Sequence, residues 1–437
     1  MKTSEGDPKS RNCGSNSRER LGYHSSPTAE GIFLKRIALL KNPVQEYFWG
    51  SRTFIPELLG EPSPSASPMA ELWMGAHPKG ISQVLWDGAW VSLPDLIQQD
   101  PENILGAEAA RKFSNQLPFL FKILSAALPL SIQAHPDLHQ ARLGFAEENR
   151  LRIPLDAPAR NYRDGNHKPE ILCALTPFEA LKGFRKTDEI LVLLDRAPVP
   201  SLETPIRLLR KNRTPQGVAG FFSTLLALAA EDRKRAISEL ITNAGRMASS
   251  DPVFPWVVRL HQWFPDDMGV FAPLLLNLIH LEPGEAIYIN SGELHSYLQG
   301  AGVELMANSD NVIRAGLTKK HTDVPELLRI LRFEENQGGI IKPQVRNRSE
   351  WVYPSPAKEF VLSRLSLEKG VPYHERRRKS LEIMICTQGN AEITDVPTAE
   401  TLLVSRGSTL LVPAMVKEIV MQGDAAFYKA ALPEEEA

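Results

Sequence analysis

The apolar residues of this chain change their spacing twice. In "GVAGFFSTLLALAA", "EDRKRAISELITNAGR" and "PWVVRLHQWF", all within residues 186–266, they fall three and four apart with charged residues between them. That is the pattern of helices with one buried face. On either side, short apolar runs alternate with Gly and Pro, as in "AELWMGAHPKG", "SQVLWDGAWVSL" and "LEPGEAIYINSGELH". Short runs bounded by turn residues read as strands. A chain that switches from strands to helices and back interrupts a β domain with a helical insertion. The expected fold is therefore mainly β, with one domain at residues 31–185 and 267–334, a helical insertion at 186–266 and a further β block at 335–437. In that last block "RGSTLLVPAMVKE" repeats the turn-strand rhythm of "PGEAIYINSGELH" without its histidine. Two similar β lobes are expected, with ligands only in the first. Residues 1–30 are polar and nearly free of large aliphatics, so burial cannot offset their ordering entropy. They are expected to form a disordered extension.

A chain of 437 residues is too long for one ordinary core, which favours two or three domains. Its formal net charge of −2 provides no basic field, so nucleic acid is not an expected partner. No apolar run reaches the length of a membrane span, and the N-terminus lacks the apolar core of a secretory signal. Cys13, Cys173 and Cys386 lie far apart without a CxxC pair, which indicates neither a disulfide framework nor a thiolate zinc site. The expectation is a cytoplasmic protein with reduced thiols and no membrane partner.

The stretch from Ser131 to Glu170 concentrates the chemistry. Gln133 and His135 stand two apart, so an extended chain aims both into one cavity. His167, Lys168 and Glu170 follow within four residues, and His295 comes after a turn-strand segment in "GELHSY". Gln133, His135, Glu170 and His295 are the candidate metal ligands: two imidazoles and a carboxylate suit zinc or another late first-row divalent ion. A lone histidine in a β protein is more often a hydrogen-bonded structural residue, and "HKPE" reads equally as a solvated turn. The combination is what favours a metal.

Lys122 lies inside the apolar run "FLFKIL", where a lysine needs a partner, a role or a strand end from which to snorkel. Asp310, Arg314 and Lys320 in "NSDNVIRAGLTKK" fall at even spacings, which puts them on one face of an extended chain unless Gly316 breaks it. Cations beside a metal hold phosphates and stabilise oxyanions; an exposed basic stretch has the same composition. There is no GxxxxGK[ST], strand-GxGxxG or GxSxG motif, so no nucleotide, dinucleotide or serine-hydrolase site is implied.

These residues sit in motifs that closely resemble the type I phosphomannose isomerase family of the bacterial kind. The motifs are "VQEYFWGS" (44–51), "ELWMGAHP" (71–78), "FLFKIL" (119–124), "QAHPDLHQA" (133–141), "RNYRDGNHKPEI" (160–171) and "GELHSYLQGAGVELMANSDNVIRAGLTKKH" (292–321). The resemblance spans roughly residues 36–335 and is looser afterwards. It implies a cupin-type jelly-roll catalytic domain with an inserted α-helical domain and a second, metal-free C-terminal jelly-roll lobe. It implies one zinc ion per chain on Gln133, His135, Glu170 and His295, and interconversion of D-mannose 6-phosphate and D-fructose 6-phosphate through an enediol. It carries the active-site arginine onto Arg314 and polar partners onto Lys122, His167, Lys168, Asp310 and Lys320. Lys168 is read as the proton-transfer base, His167 with Asp310 as the ring-opening pair, and Lys122 with Lys320 as phosphate contacts. The implied partner is a small sugar phosphate. A monomer is the expected form. The N-terminal extension departs from the family pattern. An iron-dependent cupin dioxygenase would more commonly show three histidines with a glutamate, and a sugar-phosphate sensor would need neither base nor arginine.

Overall fold

The computed structural model of this protein describes residues 37–335, 339–376 and 380–433. The expected extension of residues 1–30 lies outside the described residues. The protein is mainly β, and its main helical series is Thr187–Arg196, Glu203–Lys211, Pro215–Leu226, Ala230–Met247 and Val253–Trp263. That series falls within the block marked by the change in apolar spacing. Among the described residues no helix is long and apolar enough to cross a membrane.

The chain divides into two compact units. One takes Trp49–Ser51 and Leu124–Pro343, and the other takes residues 37–48, Arg52–Ile123 and 344–433. In this division residues 344–433 group with residues 37–48 and 52–123. The cause is pairing between the chain's two ends. Strand Ala38–Lys41 pairs antiparallel with Thr409–Val412, Ala38 opposite Leu411, and on its other edge with Gln83–Trp86. An edge strand leaves a row of backbone groups unsatisfied, and each end of the chain supplies partners to the other.

Within this unit the strands Glu382–Asp395 and Glu418–Ala431 pair from Ile383–Ala430 to Asp395–Ile419. Leu365, Met384, Ile393, Leu410, Ile419 and Phe427 form their apolar core. Lys429 interrupts it. Its buried ammonium stands 2.9 Å from Glu350, 2.7 Å from Glu375 and 3.7 Å from Glu382. Burial alone would lower its pKa, but the surrounding carboxylates outweigh that and raise it. Removing one partner from such a cluster strands the others. Lys429→Met is expected to cost about 3–5 kcal/mol of stability, read by urea denaturation at pH 7; a loss under about 1 kcal/mol would contradict the argument.

Three short helices, Leu93–Gln99, Pro101–Leu105 and Ala107–Lys112, stand in a region where the sequence reading expects only short strands. Ser92 and Asp100 cap the first two, accepting from the amides of Asp95 and Asn103, each with proline in the first turn. Caps and proline at those positions are helix starts.

The other unit places the candidate ligands. Strand Ile132–Ala134 pairs antiparallel with Ile313–Gly316 and, at one residue, with the start of His295–Ala307. Alternation along these strands separates two environments. Ile132, Ala134, Ile313, Ala315, Leu294 and Leu298 join the core built by helical residues such as Phe221, Leu225, Val257 and Leu260. The residues between them, Gln133, Arg314 and His295, face away from it. The helical insertion thus covers one face of the sheet and leaves the other to polar chemistry.

Candidate metal centre

Gln133 is the middle of a row across three strands. It is the register partner of both His295 and Arg314, and residues directly opposite in an antiparallel ladder share a face. His135 follows at the next position of the same face. The chain turns there into helix Leu138–Arg150, whose start is locked by a capping box between Asp137 and Gln140. Glu170 opens strand Glu170–Ala174, opposite Ile289 and Met306.

These segments bring three buried ligand atoms together. Glu170 Oε1 lies 3.5 Å from His135 Nε2, and Glu170 Oε2 lies 3.5 Å from His295 Nε2. Suitable atoms of the three residues all lie within 4.8 Å of one another, and this is the one such group found among the described residues. The Gln133 amide stands 3.4 Å from His295 Nε2. Both imidazoles are oriented from behind. His135 Nδ1 donates to the Asn311 carbonyl at 2.7 Å and His295 Nδ1 to the Glu293 carbonyl at 2.9 Å. With Nδ1 carrying the proton, each Nε2 lone pair points at the carboxylate. His135 Nε2 and Glu170 Oε2 are buried without a hydrogen-bond partner. Lone pairs facing a carboxylate at that distance have no proton to share, and a divalent cation satisfies all of them at once. The donor set therefore fits a metal.

The electrostatics agree. Burial pushes the His135 pKa down to about 4, more strongly than Glu170 raises it. Burial also opposes the Glu170 charge, but Lys168 and the imidazoles outweigh it and hold the carboxyl well below its ordinary range. At neutral pH Glu170 is therefore a carboxylate and His135 a neutral imidazole, the forms that bind metal. The sign for stability follows from the lowered His135 value. In metal-free protein its contribution is complete above pH ~6.5 and is lost as pH falls towards 4, a change of about 3 kcal/mol. Urea denaturation of chelated protein at pH 7 and pH 4.5 is expected to show that loss, and a His135→Asn variant to lack it.

The other expected site residues fall in several places. Lys168 is buried with Nζ 2.9 Å from Glu170 Oε1. Arg314 lies beside Gln133 in register; its Nε is buried without a hydrogen-bond partner. Burial and the nearby Arg163 lower the Arg314 pKa. His167 and Asp310 are half-buried in two neighbouring loops. Lys320 is exposed, and its amide donates to Thr318 Oγ1. Asp310, Arg314 and Lys320 do not share one extended face: the strand covers only Ile313–Gly316, its register shifts between Arg314 and Gly316, and Leu317 turns the chain at φ 52°. Lys122 belongs to the unit of residues 37–48, Arg52–Ile123 and 344–433, where it lies 3.7 Å from Glu71 and over the Trp73 ring.

Sequence reading missed the clasp that joins the two loops. Asn311 is fully buried; its Oδ1 accepts from the amides of Arg163 and Asp164, and its Nδ2 donates to the carbonyls of Asp164 and Asn166. Asp164 in turn accepts from the Asp310 amide and Ser309 Oγ. Burial raises the Asp164 pKa against these bonds. The Asn/Asp/Ser density of "RDGN" and "NSDN" was the available signal, since these side chains close loops on nearby backbone.

Two family models match the chain in sequence order: phosphomannose isomerase type I, catalytic domain, over residues 37–187, and its helical insertion domain over residues 203–276. Mannose-6-phosphate isomerase of Escherichia coli K12 is 41% identical over 389 residues, covering 88% of this chain and 96% of that one. The human mannose-6-phosphate isomerase is 34% identical over 409 residues, covering 87% and 94%. Among solved structures, a variant of phosphomannose isomerase from Salmonella typhimurium is 37% identical with a TM-score of 0.85, covering 91% of this chain and 100% of that one. A zinc-bound mannose 6-phosphate isomerase is 36% identical with a TM-score of 0.84, at 91% and 100% coverage. Since the similarity runs nearly end to end and includes the interruption by helices, this chain belongs to the type I phosphomannose isomerase family.

Proposed function

We propose that this isomerase interconverts D-mannose 6-phosphate and D-fructose 6-phosphate through an enediol, using one zinc ion held by Gln133, His135, Glu170 and His295. The observation that carries the reading is the pair of buried, unpartnered atoms, His135 Nε2 and Glu170 Oε2, in a group of aligned lone pairs. Zinc bound there supplies a Lewis acid for the sugar's oxygens. The strand layout supports a cupin-type jelly roll around these ligands. The strands of the other unit carry none of the four, in keeping with a metal-free β lobe.

Aldose–ketose isomerisation moves a proton between C2 and C1 and builds negative charge on the neighbouring oxygen. Lys168, buried against the ligand carboxylate, is assigned the proton transfer. Arg314 is assigned the developing oxyanion, because its buried Nε–H has no partner and is already out of water. His167 and Asp310, on the two loops that Asn311 clasps, are assigned ring opening. Lys320 is assigned the phosphate, a dianion that a lysine ammonium holds as a point charge. The working form is taken as a cytoplasmic monomer.

The test is a coupled assay of fructose 6-phosphate formed from mannose 6-phosphate. Turnover that chelation abolishes and zinc restores is the expected result. Bound zinc without turnover would instead make the chain a sugar-phosphate sensor, and bound iron with oxygen uptake would make it a dioxygenase.

A further inference from the structure

One tight turn touches both histidines. It runs from Asn290 to Glu293, closed by the Glu293 amide on the Asn290 carbonyl at 3.2 Å and by the Asn290 amide on Glu293 Oε2 at 3.0 Å. Its Gly292 amide donates to the His135 carbonyl at 2.7 Å, and its Glu293 carbonyl accepts from His295 Nδ1 at 2.9 Å. Gly292 has φ +75°, and a Cβ there would stand 2.7 Å from the Ile330 carbonyl. Only glycine allows so close an approach in that conformation.

The turn is anchored by an ion pair. Glu293 Oε1 accepts from Lys182 Nζ at 2.8 Å, with Lys182 3% and Glu293 6% exposed. Lys182 is the register partner of His295, so the anchor starts from the strand beside that ligand. A buried ion pair is seldom a net gain in stability over apolar side chains of similar volume, because both charges lose their hydration. Its geometry accounts for it better. The Glu293 carboxylate bonds two groups at once, and its carbonyl sets the rotation of the His295 ring. The two charges cancel, so the anchor stiffens the site without adding net charge beside a divalent ion.

We propose that Lys182 and Glu293 are positioning residues of the metal centre: their ion pair holds the Asn290–Glu293 turn, and through it both histidines, and thereby sets zinc affinity. The proposal rests on the zinc reading above. Partners that orient metal-bound histidines are typically worth 10–100-fold in affinity.

The test compares the parent with Lys182→Met and with the double variant Lys182→Met/Glu293→Met. Zinc affinity is measured by competition with a chromophoric chelator, alongside thermal melting of the metal-free form and the visible spectrum of the cobalt-substituted protein. The double variant removes both charges of the pair together, so its metal-free form is expected to melt closer to the parent than that of Lys182→Met. Its zinc affinity is expected to fall about tenfold or more, with a shift of the cobalt bands. Zinc affinity within threefold of the parent in the folded double variant would overturn the proposal. So would failure of both variants to fold with zinc present, because the pair would then serve folding and not the metal. A parent protein that binds no zinc would overturn the underlying reading instead.

Discussion

Glu170→Gln is expected to abolish zinc retention and isomerisation together. Glu170 is the only anion among the candidate ligands, and the Lys168 ammonium beside it is the leading influence that holds its charge. An amide of the same shape removes that charge and presents an N–H towards imidazole nitrogens that lie 3.5 Å from the present oxygens. The lone pairs that favour a cation would then be met by a hydrogen bond. We expect purified variant to hold almost no zinc, with kcat/KM lower by about a thousandfold or more, equivalent to ~4 kcal/mol of transition-state stabilisation. Metal analysis and the coupled assay read the two effects. A variant that keeps one zinc per chain and activity within tenfold of the parent would remove Glu170 from the ligand set.

Lys168→Met is expected to separate chemistry from metal binding. The Lys168 ammonium lies 2.9 Å from Glu170 Oε1, on the carboxylate that faces both histidines. Methionine preserves the packed stem and removes the proton carrier. General acid–base groups contribute typically 10²–10⁴-fold, so kcat is expected to fall by about that much while zinc content stays at the parent's level. Removing a positive charge beside a cation does not weaken the cation's binding. Unchanged turnover with zinc bound would exclude Lys168 as the base. The contrast with Lys182 is informative, because both lysines are buried and paired with a glutamate. Lys168 touches a ligand carboxylate, so its loss should appear in kcat. Lys182 anchors a turn behind His295, so its loss should appear in zinc affinity.

Much of this site was legible because its signals are local. Gln133 and His135 are two apart, and a strand turns that spacing into a shared face whatever else the chain does. The helical insertion was legible for the same reason, since a period of three and four is a property of consecutive residues. The short helices after Ser92 and Asp100 carry equally local signals, a cap and a first-turn proline each, but they sit inside a run of strand-like segments whose period dominates. The even spacing of Asp310, Arg314 and Lys320 misled for the opposite reason. It presumed one extended segment, and the strand ends at Gly316.

The sequence by itself determined the mainly β architecture, the helical interruption, the four candidate ligands and the family. Each depends on periodicity or on motifs a few residues long. Only the tertiary structure decided that Ala38–Lys41 would complete a sheet with Thr409–Val412, and that residues 344–433 would therefore share a unit with residues 52–123. It alone showed Asn311 behind His135, and the Lys182–Glu293 pair anchoring the turn behind His295. Those contacts join segments with no periodic relation to one another. A hydrogen bond or ion pair between distant residues leaves no pattern in either segment, because its energy depends on where packing has already brought the two chains.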